Sequence, residues 1–192
     1  MKSLRLMLCA MPLMLTGCST MSSVNWSAAN PWNWFGSSTK VSEQGVGELT
    51  ASTPLQEQAI ADALDGDYRL RSGMKTANGN VVRFFEVMKG DNVAMVINGD
   101  QGTMAVGIDV LDSDIPADTG VKIGTPFSDL YSKAFGNCQK ADGDDNRAVE
   151  CKAEGSQHIS YQFSGEWSGP EGLMPSDDTL KNWKVSKIIW RR

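Results

Sequence analysis

Histidine is nearly missing from this chain: His158 is the single copy in 192 residues. General-base and nucleophilic catalysis draw on histidine more than on other side chains, so a Ser-His-Asp or Cys-His centre would have to be built on this one residue. In HISYQF, His158 alternates with Ser160 and Gln162 on one side, and Ile159, Tyr161 and Phe163 fall on the other. That pattern puts the imidazole on the polar face of a strand. No GxSxG nucleophile elbow accompanies it.

A surplus of positive charge is also lacking. Eighteen Lys and Arg face twenty-three Asp and Glu, a net charge of −5, which argues against nucleic acid as a partner. The acids are dispersed rather than gathered in a tail, as on a solvated surface. Long apolar runs are absent too. The longest, residues 6–15, falls well short of the ~20 residues a spanning helix needs.

What that short run does fit is a signal peptide, with Lys2 and Arg5 ahead of it. It ends in Leu15-Thr16-Gly17-Cys18, the pattern of a bacterial lipobox. Small residues before the cysteine admit the signal peptidase, and the Cys18 thiol takes a diacylglyceryl group. The freed amine is then acylated, and two or three chains anchor stably where one does not. Ser19 stands where an Asp would retain a lipoprotein in the inner membrane, so the expected address is the periplasmic face of the outer membrane. The domain plan is a signal peptide over 1–17, a lipidated tether over 18–45 and a periplasmic domain over 46–192.

Cysteines are scarce: four in all. Cys9 leaves with the signal peptide and Cys18 carries lipid. Cys138 and Cys151 remain in an oxidising compartment, too far apart for a CxxC motif, and read as a structural disulfide. No cysteine is left for zinc. Asp142, Asp144 and Asn146 echo the start of a calcium loop, but Ala153 stands where an EF-hand carries its Glu. An acidic turn is the simpler reading, and the series Asp109, Asp112, Asp114 and Asp118 takes the same discount. No metal, cofactor or catalytic residue is assigned.

The tether is unusual in one respect. NWSAANPWNWFG, residues 25–36, concentrates Trp26, Trp32, Trp34 and Phe35 in a stretch otherwise rich in Ser and Asn. Three readings are open: the rings lie in the bilayer interface, pack back on the domain, or contact an envelope protein partner.

Beyond it, Thr53-Pro54-Leu55-Gln56 opens a helix as a capping box, and Thr125-Pro126 opens another. In the second, Phe127, Leu130, Tyr131, Ala134 and Phe135 follow helical spacing. Strands are expected at 68–74, 81–88, 93–97, 104–111, 148–153, 158–163 and 185–190. The class is α+β: mostly antiparallel sheet with two helices, in an order consistent with a repeated helix-plus-strands unit. Residues 164–183 form a long loop whose Trp167, Leu180 and Trp183 cover the core or serve as a lid.

LTGC at 15–18, GTPFSDLYSKAFGNC at 124–138, SGPEGLMP at 168–175 and the closing KIIWRR resemble the RpoE-regulated lipoproteins of enteric bacteria across the whole chain. The resemblance implies an outer-membrane lipoprotein made under envelope stress, with Cys18 as its lipid site. It supplies no catalytic motif. The expected function is therefore non-enzymatic: binding or structural work in the envelope, with the membrane as partner through Cys18. The alternative is an envelope hydrolase using acidic residues.

Overall fold

The structure, a computed structural model, describes residues 39–64, 68–77, 79–141, 147–170 and 172–192. Cys18 and the Trp26, Trp32, Trp34 and Phe35 cluster lie outside them, as does the Asp142–Asn146 turn.

Eight strands make one antiparallel sheet. The first four are β4 (Arg69–Ala77), β5 (Asn80–Lys89), β6 (Asn92–Gly99) and β7 (Ala105–Val110). The second four are β8 (Cys138–Lys140), β9 (Val149–Lys152), β10 (Ile159–Ser164) and β11 (Lys184–Arg191). Each set is a meander, and the two meet along their last strands, in the order β4-β5-β6-β7-β11-β10-β9-β8. The sequence reasons are local. β5 is rich in β-branched and aromatic residues. Its hairpin with β4 turns at Gly79, whose φ of 76° suits a tight turn.

One face of this sheet is the core. A single row of register partners crosses six strands as Val87, Met95, Val110, Ile188, Tyr161 and Cys151, all buried. Each such side chain contributes roughly 1.5–3 kcal/mol by leaving water. The cover is a small sheet of β1 (Val41–Ser42), β2 (Gly45–Val46) and β3 (Leu49–Thr50), together with loops and three short helices. Trp190 Nε1 donates to the Glu43 carbonyl at 3.1 Å, fastening the small sheet to β11. Val41 is fully buried and bridges to Ala117. Residues 41–45, given to the tether by their composition, are thus part of the folded domain.

The protein is mainly β, and this corrects the expectation of an α+β domain with two substantial helices. Among the described residues the helices are α1 (Glu57–Asp62), α2 (Phe127–Leu130) and α3 (Asp177–Leu180). Tertiary pairing displaced the expected cap of α1. Leu55 N–H donates to Thr103 O at 2.7 Å and Ala105 N–H to Thr53 O at 3.1 Å, so 53–55 run as a bridge and the helix starts after Gln56. α2 stops after one turn because Tyr131 turns extended, at φ −136° and ψ 133°. Its ring packs on Phe127 and Phe163, with centroids 5.4 and 5.8 Å away, and its hydroxyl donates to Lys152 O at 2.7 Å. Phe135, placed on the apolar face by the pattern, is 86% exposed.

The 164–183 segment covers the core. Leu180 and Trp183 are buried, and Ser176 caps α3 by accepting from Thr179 N–H. Cys138 and Cys151 are direct register partners on β8 and β9 and are joined as a disulfide, with Cα atoms 3.9 Å apart.

Candidate functional site

Period-2 alternation gives the sheet a second face, and that face is polar. Its rows run beside the core row. One passes through Arg71, Glu86, Val96, Asp109, Ile189, Ser160 and Lys152; another through Lys187, Gln162, Glu150 and Gln139. A groove of about 860 Å³ crosses this face, and residues of all eight strands except β8 line it.

Two hydrogen-bonded groups set its character, one from each meander. In the first, Lys75 Nζ donates to Asn98 Oδ1 at 2.7 Å, and Asn98 Nδ2 donates to Asp109 Oδ2 at 3.2 Å. Lys75 also stands 5.7 Å from the Phe84 ring centroid. In the second, the Arg191 guanidinium grips Glu150 with both terminal nitrogens, one contact measuring 3.0 Å. Ser160 Oγ donates to Glu150 Oε1 at 2.6 Å. Burial alone would raise the Glu150 carboxyl, but the bonds from Arg191 and Ser160 outweigh it and hold the group below the usual carboxylate range.

Between these groups sits Gln162. Its register neighbours are Lys187 on β11 and Glu150 on β9. It is only 6% exposed, yet it lines the groove. Off the ladder, its hydrogen bond is at the backbone: Ser186 Oγ donates to its carbonyl at 3.2 Å. Its side-chain amide meets no partner among the described residues.

The residues singled out in the sequence fall elsewhere or apart. His158 precedes β10, and its Nδ1 lies 2.8 Å from the Arg191 carbonyl. The nearby Ser156 Oγ accepts from the His158 backbone N–H at 3.2 Å and donates to the Glu43 carboxylate. The Asp109, Asp112, Asp114 and Asp118 series does not converge. Asp109 belongs to the groove, whereas Asp112 and Asp114 both accept from Lys89 Nζ, at 2.9 and 2.7 Å. That Lys89 bond keeps the Asp114 carboxyl below its usual value. Among the described residues no three His, Cys, Asp or Glu gather as a metal cluster. The groove itself was missed. The sequence signal for it was the polar half of each alternating strand, most plainly Ser160 and Gln162.

The family described as "Protein of unknown function (DUF1131)" matches residues 23–192. The chain is 97% identical over 192 residues to "Uncharacterized protein YfeY" of Escherichia coli strain K12, covering all of both chains. It is also similar to a solved structure, that of the uncharacterized protein yfeY from Escherichia coli. That match has a TM-score of 0.74 and 92% identity over 80% of this chain and all of the other.

Proposed function

We propose, for a chain that belongs to the DUF1131 family, a lipid-anchored binding module of the cell envelope. Cys18 carries the lipid, the outer membrane holds the protein on its periplasmic side, and the domain offers the open face of its sheet to another envelope component. The observation that carries the binding half is the groove of about 860 Å³ across that face, lined by Lys75, Asn98, Asp109, Glu150 and Arg191 and lying opposite the apolar core. The anchoring half rests on the lipobox and on Ser19. The resemblance to RpoE-regulated lipoproteins supports a role under envelope stress.

The non-enzymatic reading is favoured over an envelope hydrolase using acidic residues. A general acid needs a carboxyl with a raised pKa. Glu150 is instead held low by Arg191, and Asp109 is tied to Asn98. The strand order supports reading the domain as a helix-plus-strands unit repeated, joined at β7 and β11.

Fractionating cells that make the Cys18→Ala variant tests the reading. The variant moves from the membrane to the soluble fraction while its domain stays folded. A variant that remains fully in the membrane fraction overturns the anchoring.

A further inference from the structure

We propose that residues 165–170 form a strap over the core that opens on its own, with the Trp167 indole as its latch. Among the described residues, Trp167 Nε1 is the one buried side-chain nitrogen or oxygen with no hydrogen-bond partner. Buried polar groups are otherwise satisfied, and an orphaned donor costs the closed state the hydration it gave up. The ring itself is half-buried and packs against the core. One side chain therefore both holds the strap down and works against holding it.

Little else fastens the segment. Residues 164–166, 168 and 170 are exposed, and Gly169 is half-buried. The chain is anchored at each end, where Ser164 pairs with Lys184 and where Pro175 is buried. Between those points, among the described residues, the backbone hydrogen bond is local: Leu173 N–H donates to Pro170 O at 3.3 Å. The contacts are instead ring against glycine. Gly165 lies on the Trp183 indole and Gly169 on the Trp167 indole, and a Cβ at either would overlap the ring. A segment with few buried apolar contacts and an exposed backbone opens locally at less cost than the whole domain. Lifting it gives the Trp167 N–H to water and takes Gly165 off Trp183, which is 2% exposed in the closed form. The open form thus presents apolar ring surface that the closed form hides. The strap works independently of the groove and of the lipid anchor.

The test compares two indole N–H groups by NMR in the mature full-length protein, labelled with ¹⁵N and held in mild detergent. Trp190 Nε1 donates to the Glu43 carbonyl at 3.1 Å and is the reference for a satisfied donor. Hydrogen exchange at Trp167 Nε1 is expected to be at least about tenfold faster than at Trp190 Nε1, with a weaker dependence on urea. Exchange no faster than at Trp190, with the same urea dependence, overturns the strap. A second comparison puts benzothienylalanine at each of the two positions in turn, which keeps the fused rings and removes the N–H. At position 167 it is expected to raise the melting temperature by about 2–4 °C, since the orphaned donor is gone. At position 190 it is expected to lower it, since the Glu43 carbonyl loses its donor. An unchanged or lowered melting temperature at 167 overturns the latch. The exchange comparison uses the unaltered protein and decides the strap whether or not the replaced chains fold.

Discussion

Ile188 lies directly opposite Val110 across the antiparallel seam between β11 and β7, and both are fully buried. This seam alone makes one sheet out of two meanders. Ile188→Ala is expected to destabilise the domain by about 2–5 kcal/mol. Urea unfolding followed by tryptophan fluorescence and by circular dichroism should still give one coincident transition. Two separate transitions would mean that the meanders are independent.

Glu150 makes stability depend on acid. Its folded pKa is depressed by Arg191 and Ser160, so its contribution is complete above the unfolded value of about 4.3. It is lost as the pH falls through the lower folded value. Glu150→Gln should be less stable than wild type at pH 7, and the two should converge as the pH falls through the depressed folded value. Thermal melts across pH 2–7 check this. A constant gap at all pH values would rule out the linkage.

The Cys138–Cys151 bridge spans a sequence separation of 13. Reduction is expected to cost about 3 kcal/mol through the entropy returned to the unfolded chain. A melting curve with and without reductant measures it, and superimposed curves would refute it.

Gly165 lies against the Trp183 indole, where an added Cβ would overlap the ring. Gly165→Ala should lose about 1–3 kcal/mol by overpacking. It should also shift the emission of that buried tryptophan. An unchanged denaturation midpoint would show that the 164–183 segment yields freely.

For the tryptophan cluster, photo-reactive residues at 26, 32 and 34 in living cells are expected to label lipid, consistent with Trp in the interface. A discrete protein band would instead make the segment a recognition arm.

Much of the fold was legible in the residues. The alternation of Ile108 and Val110 with Gly107 and Asp109 marked β7, and the β-branched density of 81–88 marked β5, because side chains on a half-buried sheet repeat every second residue. The helices were misjudged for a reason that spacing cannot carry. Tyr131 leaves α2 to reach Phe163 and Lys152, both on the far strands of the second meander. Leu55 spends its N–H on Thr103 rather than on a helix. In both cases a distant partner overrode local propensity. The groove was half legible. Ser160 and Gln162 could be placed on the polar side of a strand, but no local pattern says that Asp109, Ile189 and Gln162 come to share one face. That requires the β7–β11 pairing, which depends on residues far apart in the chain.

The same pairing sets a timetable. β7 is an edge until β11 reaches it, and β11 is the eleventh strand in chain order. A chain delivered from its N-terminus therefore completes the first meander and must wait, with one long side open, while the whole second meander is made. The groove, which needs strands from both, does not exist during that interval. The face that bears the groove is therefore the last part of the domain to be completed.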